Sequence, residues 1–401
     1  MRFVASLSAG DMPTTIWPYR HDRVRVRVSG LKTVLRILPY RLPKPAAALL
    51  LTAALCACGQ DANVHLARVV PRSSVDASTP RPVATTPAPR PVAAPSALAT
   101  SVASLARQFD GRVGIAVRSI DRGWSVDAGG AQRLPQQSVS KLWVAMTVLD
   151  YRDRGRLRLT DPVTLYRDDI TLFHQPIAAL IKGDQGYPTT VGALLQRALT
   201  MSDNTANDRL LRYVGGPNSV RDFIQRKGLG DIRFGPGERL LQSQTAGLVW
   251  QPSYAFGNGF MIARDRLPRA DRIAAFERYI ADPPDGAAPV AIAGALARLK
   301  RGDLLSPEST SYLISTMESS HTGKQRMRGA VPPGWSFGHK TGTGQDLAGR
   351  TAGYNDVGLL MAPDGSGYAI AIMIGDTPRP IPARQALMQA VVASVVANHR
   401  G

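Results

Sequence analysis

Two blocks of alternating β pattern, far apart in the chain and separated by a long helical stretch, constrain this sequence more than any other feature. "GRVGIAVRSI" (residues 111–120) and "GWSVDAG" (123–129) alternate apolar and polar positions as paired antiparallel strands do. The middle, 138–320, reads mostly as helix. Strand pattern returns only in "WSFGHKTGT" (335–343), "YNDVGLLMA" (354–362) and "YAIAIMIG" (368–375). Helical stretches bracket the whole, "SALATSVASLARQF" (96–109) before and "PARQALMQAVVASVVANH" (382–399) after. Strands need partners, so this order predicts an α/β fold: an antiparallel sheet built from both ends of the segment, flanked by the terminal helices, plus an all-helical lobe.

That folded unit is expected over residues 96–401. Residues 59–95 are rich in Pro, Ala, Thr and Ser, as in "STPRPVATTPAPRPVAAP", and bury too little to fold, so they read as an extended tether. Residues 1–58 end in "KPAAALLLTAALCAC", a short apolar run behind Arg36, Arg41 and Lys44 that suits an export signal and is too short to span a bilayer comfortably. Its "LCACG" resembles a bacterial lipobox, which implies cleavage before Cys58 and lipidation of its sulfur; an ordinary signal peptide is the alternative. On the first reading the protein is exported to the periplasm and tethered to a membrane. The residues ahead of Lys44 are long for an n-region, and translation is expected to start downstream of Met1. Cys56 and Cys58 are the only cysteines, so the folded unit has no disulfide to make.

The formal net charge of +19 raises the question of nucleic acid. Of the 49 Lys/Arg, 13 precede residue 98, against 4 Asp/Glu there, and the rest are dispersed with no basic stripe among aromatics. No nucleic-acid partner is expected. The six histidines show no H-x-H or H-E-x-x-H spacing, which argues against a zinc hydrolase, and no metal or organic cofactor is implied.

Three short motifs carry chemistry. "SVSK" places Ser138 and Lys141 one turn apart where an apolar, buried helix begins, a setting that favours a nucleophile with an amine beside it. Alone it is weak: S-x-x-K arises by chance about once in a chain of this size, and "SGLK" (29–32) is such a match. "MSDNTAND" supplies Ser202, Asp203 and Asn204, which fit equally a helix cap. "GHKTGTG" supplies Lys340, Thr341 and Thr343, which could be solvent-facing edge-strand residues or hold a substrate carboxylate. In that order, in a chain with only eight lysines, the set resembles the signature of penicillin-recognising serine enzymes, class A β-lactamases among them.

The resemblance spans residues 96–401 and implies a β-lactamase/transpeptidase-like fold, a monomer and a small β-lactam substrate. It implies that Ser138 attacks the lactam carbonyl, that Lys141 shares its proton, and that Ser202 protonates the leaving nitrogen. Asn204 would bind the substrate's side-chain amide, and Lys340, Thr341 and Thr343 would face its carboxylate. Arg326 sits where some members place a carboxylate-binding arginine, and His174 where an aromatic gatekeeper is common; both also read as surface residues. Glu238 is the first glutamate of the chain, and its interval from Ser202 matches that of the family's deacylation base. Three departures surround it: Gln242 for an asparagine, Asp208 where many members have asparagine, and a long segment, 243–286, with a helix and several aromatics in place of a short loop return. A D-Ala-D-Ala peptidase or transpeptidase would share the motifs without needing Glu238. A penicillin-binding sensor would acylate without turnover.

Overall fold

The computed structural model describes residues 93–400. The expected signal segment, Cys58 and all but the last residues of the expected tether lie outside them. The first helix, α1 (Ser96–Gln108), starts where the sequence pattern placed it. Strands β1 (Arg112–Ser119), β2 (Ser125–Ala128), β3 (Ser336–Thr343), β4 (Tyr354–Met361) and β5 (Gly367–Asp376) form one antiparallel sheet in the order β2-β1-β5-β4-β3. The two distant β blocks meet at β1 and β5, with Ile115 opposite Ile372 and Val117 opposite Ile370.

The helices between and after them are α2 (Lys141–Asp153), α3 (Val191–Thr200), α4 (Asn204–Tyr213), α5 (Pro217–Arg226), α6 (Glu238–Thr245), α7 (Gly259–Arg266), α8 (Arg269–Ala281), α9 (Pro289–Lys300), α10 (Pro307–Glu318) and α11 (Ile381–Ala397). The segment 243–286 therefore carries two helices of its own, α7 and α8, where the sequence suggested one. No helix among the described residues is long and apolar enough to cross a membrane.

Period-two alternation gives the sheet two apolar faces. Val113, Ile115 and Val117 of β1 and Ile370, Ile372 and Ile374 of β5 point to one side. There they pack on Leu98 and Val102 of α1 and on Leu387, Met388, Val391, Val392 and Val395 of α11, spaced to line one face of each helix. The other face is small: Ala116 lies opposite Ala371, next to Ala369. Small side chains let α9 approach closely; a Cβ on Gly114 would sit 2.7 Å from Pro289 Cγ. On this side the core continues through α9 into the helical lobe around α2. Every residue of α2 from Lys141 to Asp150 is buried, which is why its sequence is apolar almost all round. Its buried Asp150 is neutralised by Arg154, Arg226 and Lys227.

The close seat of α9 on the sheet makes a direct prediction. Ala371→Leu adds three carbons where none fit and is expected to lower stability by about 1–3 kcal/mol, read from the urea midpoint.

Candidate active site

Ser138 lies in a single 3₁₀ turn, Gln137–Ser140, that runs straight into α2. The first residue of that helix, Lys141, is fully buried and sends its amine back to the turn, 2.8 Å from Ser138 Oγ. The same Nζ donates to Asn204 Oδ1 at 2.9 Å and forms an ion pair with Glu238 Oε1. All three N–H bonds of the amine are thereby used inside the protein.

The S-D-N motif divides its labour. Asp203 is indeed a helix cap: its carboxylate accepts the N–H of Ala206 at 3.0 Å, opening α4, and that of Ile177 at 2.7 Å. Ser202 and Asn204, on either side of it, line the cleft. Ser202 Oγ is 2.9 Å from Lys340 Nζ, which reaches across from β3. The side-chain amide of Asn204 bridges Lys141 and the carbonyl of Leu172, 2.8 Å away, so here it orders the amine as well as facing the cleft. Lys340 is buried, and that burial, with Lys141 close by, holds its amine well below the ordinary lysine range.

β3 is an edge strand, yet six of its eight residues are buried. Its ladder partner β4 covers one side, and the turn of Ser138 packs against the strand. At Gly342 the approach is so close that a Cβ would lie 2.3 Å from the carbonyl oxygen of Gln136. Thr341 shares a hydrogen bond with Thr322, 2.9 Å. Arg326 is buried behind the strand, where it donates to the carbonyls of Gly342 at 2.9 Å and Asn355 at 2.5 Å, to Thr343 Oγ1 at 2.6 Å, and stacks on Tyr354. It reaches the cleft wall and at the same time pins the end of β3.

Glu238 opens the helix α6 and is buried. A helix N-terminus favours a carboxylate. Asp208 lies next to the start of this helix. Its carboxylate accepts the backbone N–H groups of Glu238 at 3.0 Å and Arg239 at 3.4 Å, capping α6 from α4. Burial and then the like charge of Glu238 raise the Asp208 carboxyl above its ordinary value. Gln242, one turn after Glu238, donates to its Oε2 at 3.3 Å and to Gln137 Oε1 at 3.0 Å, so the longer amide still holds the carboxylate.

These residues converge on a cleft of about 410 Å³ lined by Ser138, Ser202, Asn204, Glu238, Gln242, Arg326, Thr341 and Thr343. Lys141 and Lys340 lie directly behind that wall. A larger hollow of about 600 Å³ between α5 and Pro284 contains no nucleophile, and its two arginines are already tied to Phe234, Gly235 and Asp282. His174 lines the cleft mouth, and beside it stands Phe173, half exposed, which the sequence did not single out. Phe173 is backed by Phe260 of α7 at a 5.0 Å ring separation, and Phe260 belongs to a small core with Leu172, Ala246 and Leu248. The inserted segment thus rebuilds the rim. Four non-glycine residues have left-handed φ among the described residues; three of them, Gln137, Phe173 and Ser202, line or adjoin this cleft. Backbone strain of this kind collects where side chains must be presented.

A nucleophile, an amine sharing its hydrogen bonds, a buried carboxylate and cationic groups opposite are suited to acyl transfer followed by hydrolysis. Among the described residues no group of His, Cys, Asp and Glu could hold a metal ion.

Comparison with known proteins points the same way. A model described as the beta-lactamase enzyme family matches residues 97–398. The extended-spectrum beta-lactamase PER-1 of Pseudomonas aeruginosa is 30% identical over 261 residues, which is 65% of this chain and 73% of that protein. Among solved structures, an ancestral (GNCA) class A beta-lactamase superposes with a TM-score of 0.58 at 27% identity, covering 75% of this chain and 99% of that one. The TLA-3 extended-spectrum beta-lactamase shares the fold, with a TM-score of 0.62 at 22% identity over 75% of this chain and 97% of its own.

The contact at Gly342 supplies a test of the site's geometry. Gly342→Ala must push β3 away from the turn of Ser138, and acylation of Ser138, followed by intact-mass spectrometry, is expected to slow by about 100-fold.

Proposed function

The chain belongs to the β-lactamase enzyme family, as a class A serine β-lactamase, and we propose on that premise that it hydrolyses the lactam amide through an acyl-enzyme on Ser138 with Glu238 as deacylation base. The observation that carries the assignment of roles is the single amine of Lys141 bridging Ser138 Oγ and the Glu238 carboxylate.

In this mechanism Ser138 Oγ attacks the lactam carbonyl while its proton moves to the Lys141–Glu238 pair. The backbone N–H groups of Ser138 and Thr343 receive the developing oxyanion, a contribution of about 3–4 kcal/mol for each such donor. The lactam C–N bond breaks as Ser202 protonates the nitrogen and is itself reprotonated by the proton the Lys141–Glu238 pair took from Ser138, which leaves Glu238 ionised; Lys340, 2.9 Å from Ser202 Oγ, keeps that hydroxyl oriented. Lys340, Thr341, Thr343 and Arg326 present donors and positive charge to the substrate carboxylate. Glu238 then takes a proton from water, which attacks the ester, and that proton passes to Ser138 Oγ as the ester C–O bond breaks. Asn204 faces the substrate's side-chain amide while it holds Lys141.

A D-Ala-D-Ala peptidase or a sensor would use the first half of this sequence alone. The hydrogen bonds that Gln242 and Asp208 make to Glu238 and its backbone favour the lactamase, because they hold in place the carboxylate that must activate water to release the acyl group. We place the enzyme in the periplasm as a lipid-anchored protein, on the strength of the lipobox-like "LCACG" and the Pro/Ala/Thr-rich segment that follows.

Two experiments test these readings. With a penicillin, wild type is expected to show a transient adduct on Ser138, whereas Glu238→Gln slows its release by about 10²–10⁴-fold so that the adduct persists; equal release from both would remove Glu238 from the mechanism. Cys58→Ser is expected to shift the protein from the membrane fraction to the soluble periplasmic fraction, and an unchanged distribution would exclude the anchor.

A further inference from the structure

Beneath the nucleophile, the inserted segment meets the turn that carries it. Gln137, the residue before Ser138, is buried with φ at 54°, a conformation that an L side chain adopts only when its surroundings impose it. Its surroundings do so completely. Its backbone N–H donates to Asp285 Oδ2 at 2.7 Å. Its Nε2 donates to the hydroxyl of Tyr279 at 2.6 Å and to the carbonyl of Ala352 at 3.2 Å. Its Oε1 accepts from Gln242 Nε2 at 3.0 Å, and Gln242 in turn donates to Glu238. The Tyr279 hydroxyl closes the ring by donating to Asp285, 3.0 and 3.2 Å from its two oxygens.

Building on the β-lactamase reading, we propose that Tyr279, on helix α8 of the inserted segment, is a positioning residue for the reaction: through Gln137 it fixes the turn that presents Ser138, and through Gln137 and Gln242 it orients the carboxylate of Glu238. The inserted helix is thereby connected to both the nucleophile and the base by an unbroken run of buried hydrogen bonds. The direction of each bond is set. Burial, with Asp285 next to it, pushes the Tyr279 hydroxyl well above its ordinary value, so it stays a donor to Asp285 and an acceptor from Gln137. The ring itself packs with Leu241, Phe276, Ile280 and Ala352, which separates its apolar role from that of its hydroxyl.

The two hydrogen bonds that Asp285 accepts favour its ionised form. Burial pushes its carboxyl up to about 6, opposed by the Gln137 N–H and the Tyr279 hydroxyl, while the charge of Glu238 on α6 raises it further. Tyr279 from α8 and Glu238 from α6 are the titratable groups that face it, and no cation pairs with it among the described residues. Because the value is raised, the carboxylate is present above that pH and is lost as pH falls through it; once protonated, Asp285 accepts from its two partners more weakly than the carboxylate does. Removing the Tyr279 hydroxyl takes away one of the bonds that favour the charged form, so titration moves to higher pH.

The test compares wild type, Tyr279→Phe and Phe276→Leu in steady-state hydrolysis of a chromogenic cephalosporin from pH 5 to 9, with thermal melts alongside. Tyr279→Phe is expected to lower kcat about 10- to 100-fold with KM within about twofold, and to move the acid limb of kcat up by about one pH unit, the size of one lost hydrogen bond. Phe276→Leu, which disturbs the same small core without touching the hydrogen bonds, is expected to lower the melting temperature and leave both readouts in place. Wild-type kcat and an unmoved acid limb in Tyr279→Phe overturn the proposal, as does Phe276→Leu reproducing both changes. If Tyr279→Phe does not fold, Gln137→Met cuts the same run of bonds at its other end and carries the same expectations. A wild type that forms no adduct on Ser138 defeats the β-lactamase reading and this proposal together, whereas normal wild-type turnover with an unaffected Tyr279→Phe defeats this proposal alone.

Discussion

Burying the amine of Lys141 is the constraint on which the rest of the site depends. A charged group removed from water needs each of its hydrogen bonds replaced, and leaving a buried charge without its partner destabilises by about 3–5 kcal/mol. Lys141 begins a helix buried from Lys141 to Asp150, so water cannot supply the partners. They come instead from three separate places: Ser138 from the preceding turn, Asn204 from α4 and Glu238 from α6. One cation therefore holds together three elements far apart in sequence, and the groups it gathers are those that acylation and deacylation need. Stability and catalysis rest here on the same interactions.

The sheet supplies the opposite wall, and it does so from a distance along the chain. β3 forms its ladder with β4, and β4 pairs in turn with β5, whose other neighbour is β1. The position of Lys340 and Thr343 thus depends on pairing between the first and last β blocks. The clearance at Gly342 shows how little freedom remains between this strand and the turn of Ser138. Arg326 tightens the same junction by donating to backbone carbonyls of both β3 and β4.

The inserted segment uses its two helices differently. α7 builds a small aromatic core that backs Phe173 at the cleft mouth, where a substrate enters. α8 works underneath, placing Tyr279 against Gln137 and Asp285. Asp208 and Gln242 belong to the same design. The aspartate caps α6 by accepting two N–H groups, and the glutamine's extra methylene is taken up by a second bond to Gln137, with Gln345 donating to its oxygen at 3.0 Å. Departures from the family pattern near Glu238 are thus compensated by one another, and the carboxylate remains held.

The sequence by itself determined the fold class, the bounds of the sheet strands and the two terminal helices, and the identity of the cleft's main residues. Those features are local: strand alternation, helical apolar spacing, and Ser138–Lys141, Ser202–Asn204 and Lys340–Thr343 each held within one turn or one strand. Even the place of Glu238 followed from an interval along the chain. What only the tertiary structure decided was which neighbours meet. That Arg326 pins β3 and β4, that Glu238 starts a helix capped by Asp208, and that Tyr279 and Phe260 support the cleft are consequences of long-range packing, for which a single sequence carries no periodic mark. The left-handed backbone of Gln137, Phe173 and Ser202 was equally illegible, because no glycine announces it. Those conformations are imposed by hydrogen bonds and packing from residues remote in the chain, and such forces act only once the fold has brought them together.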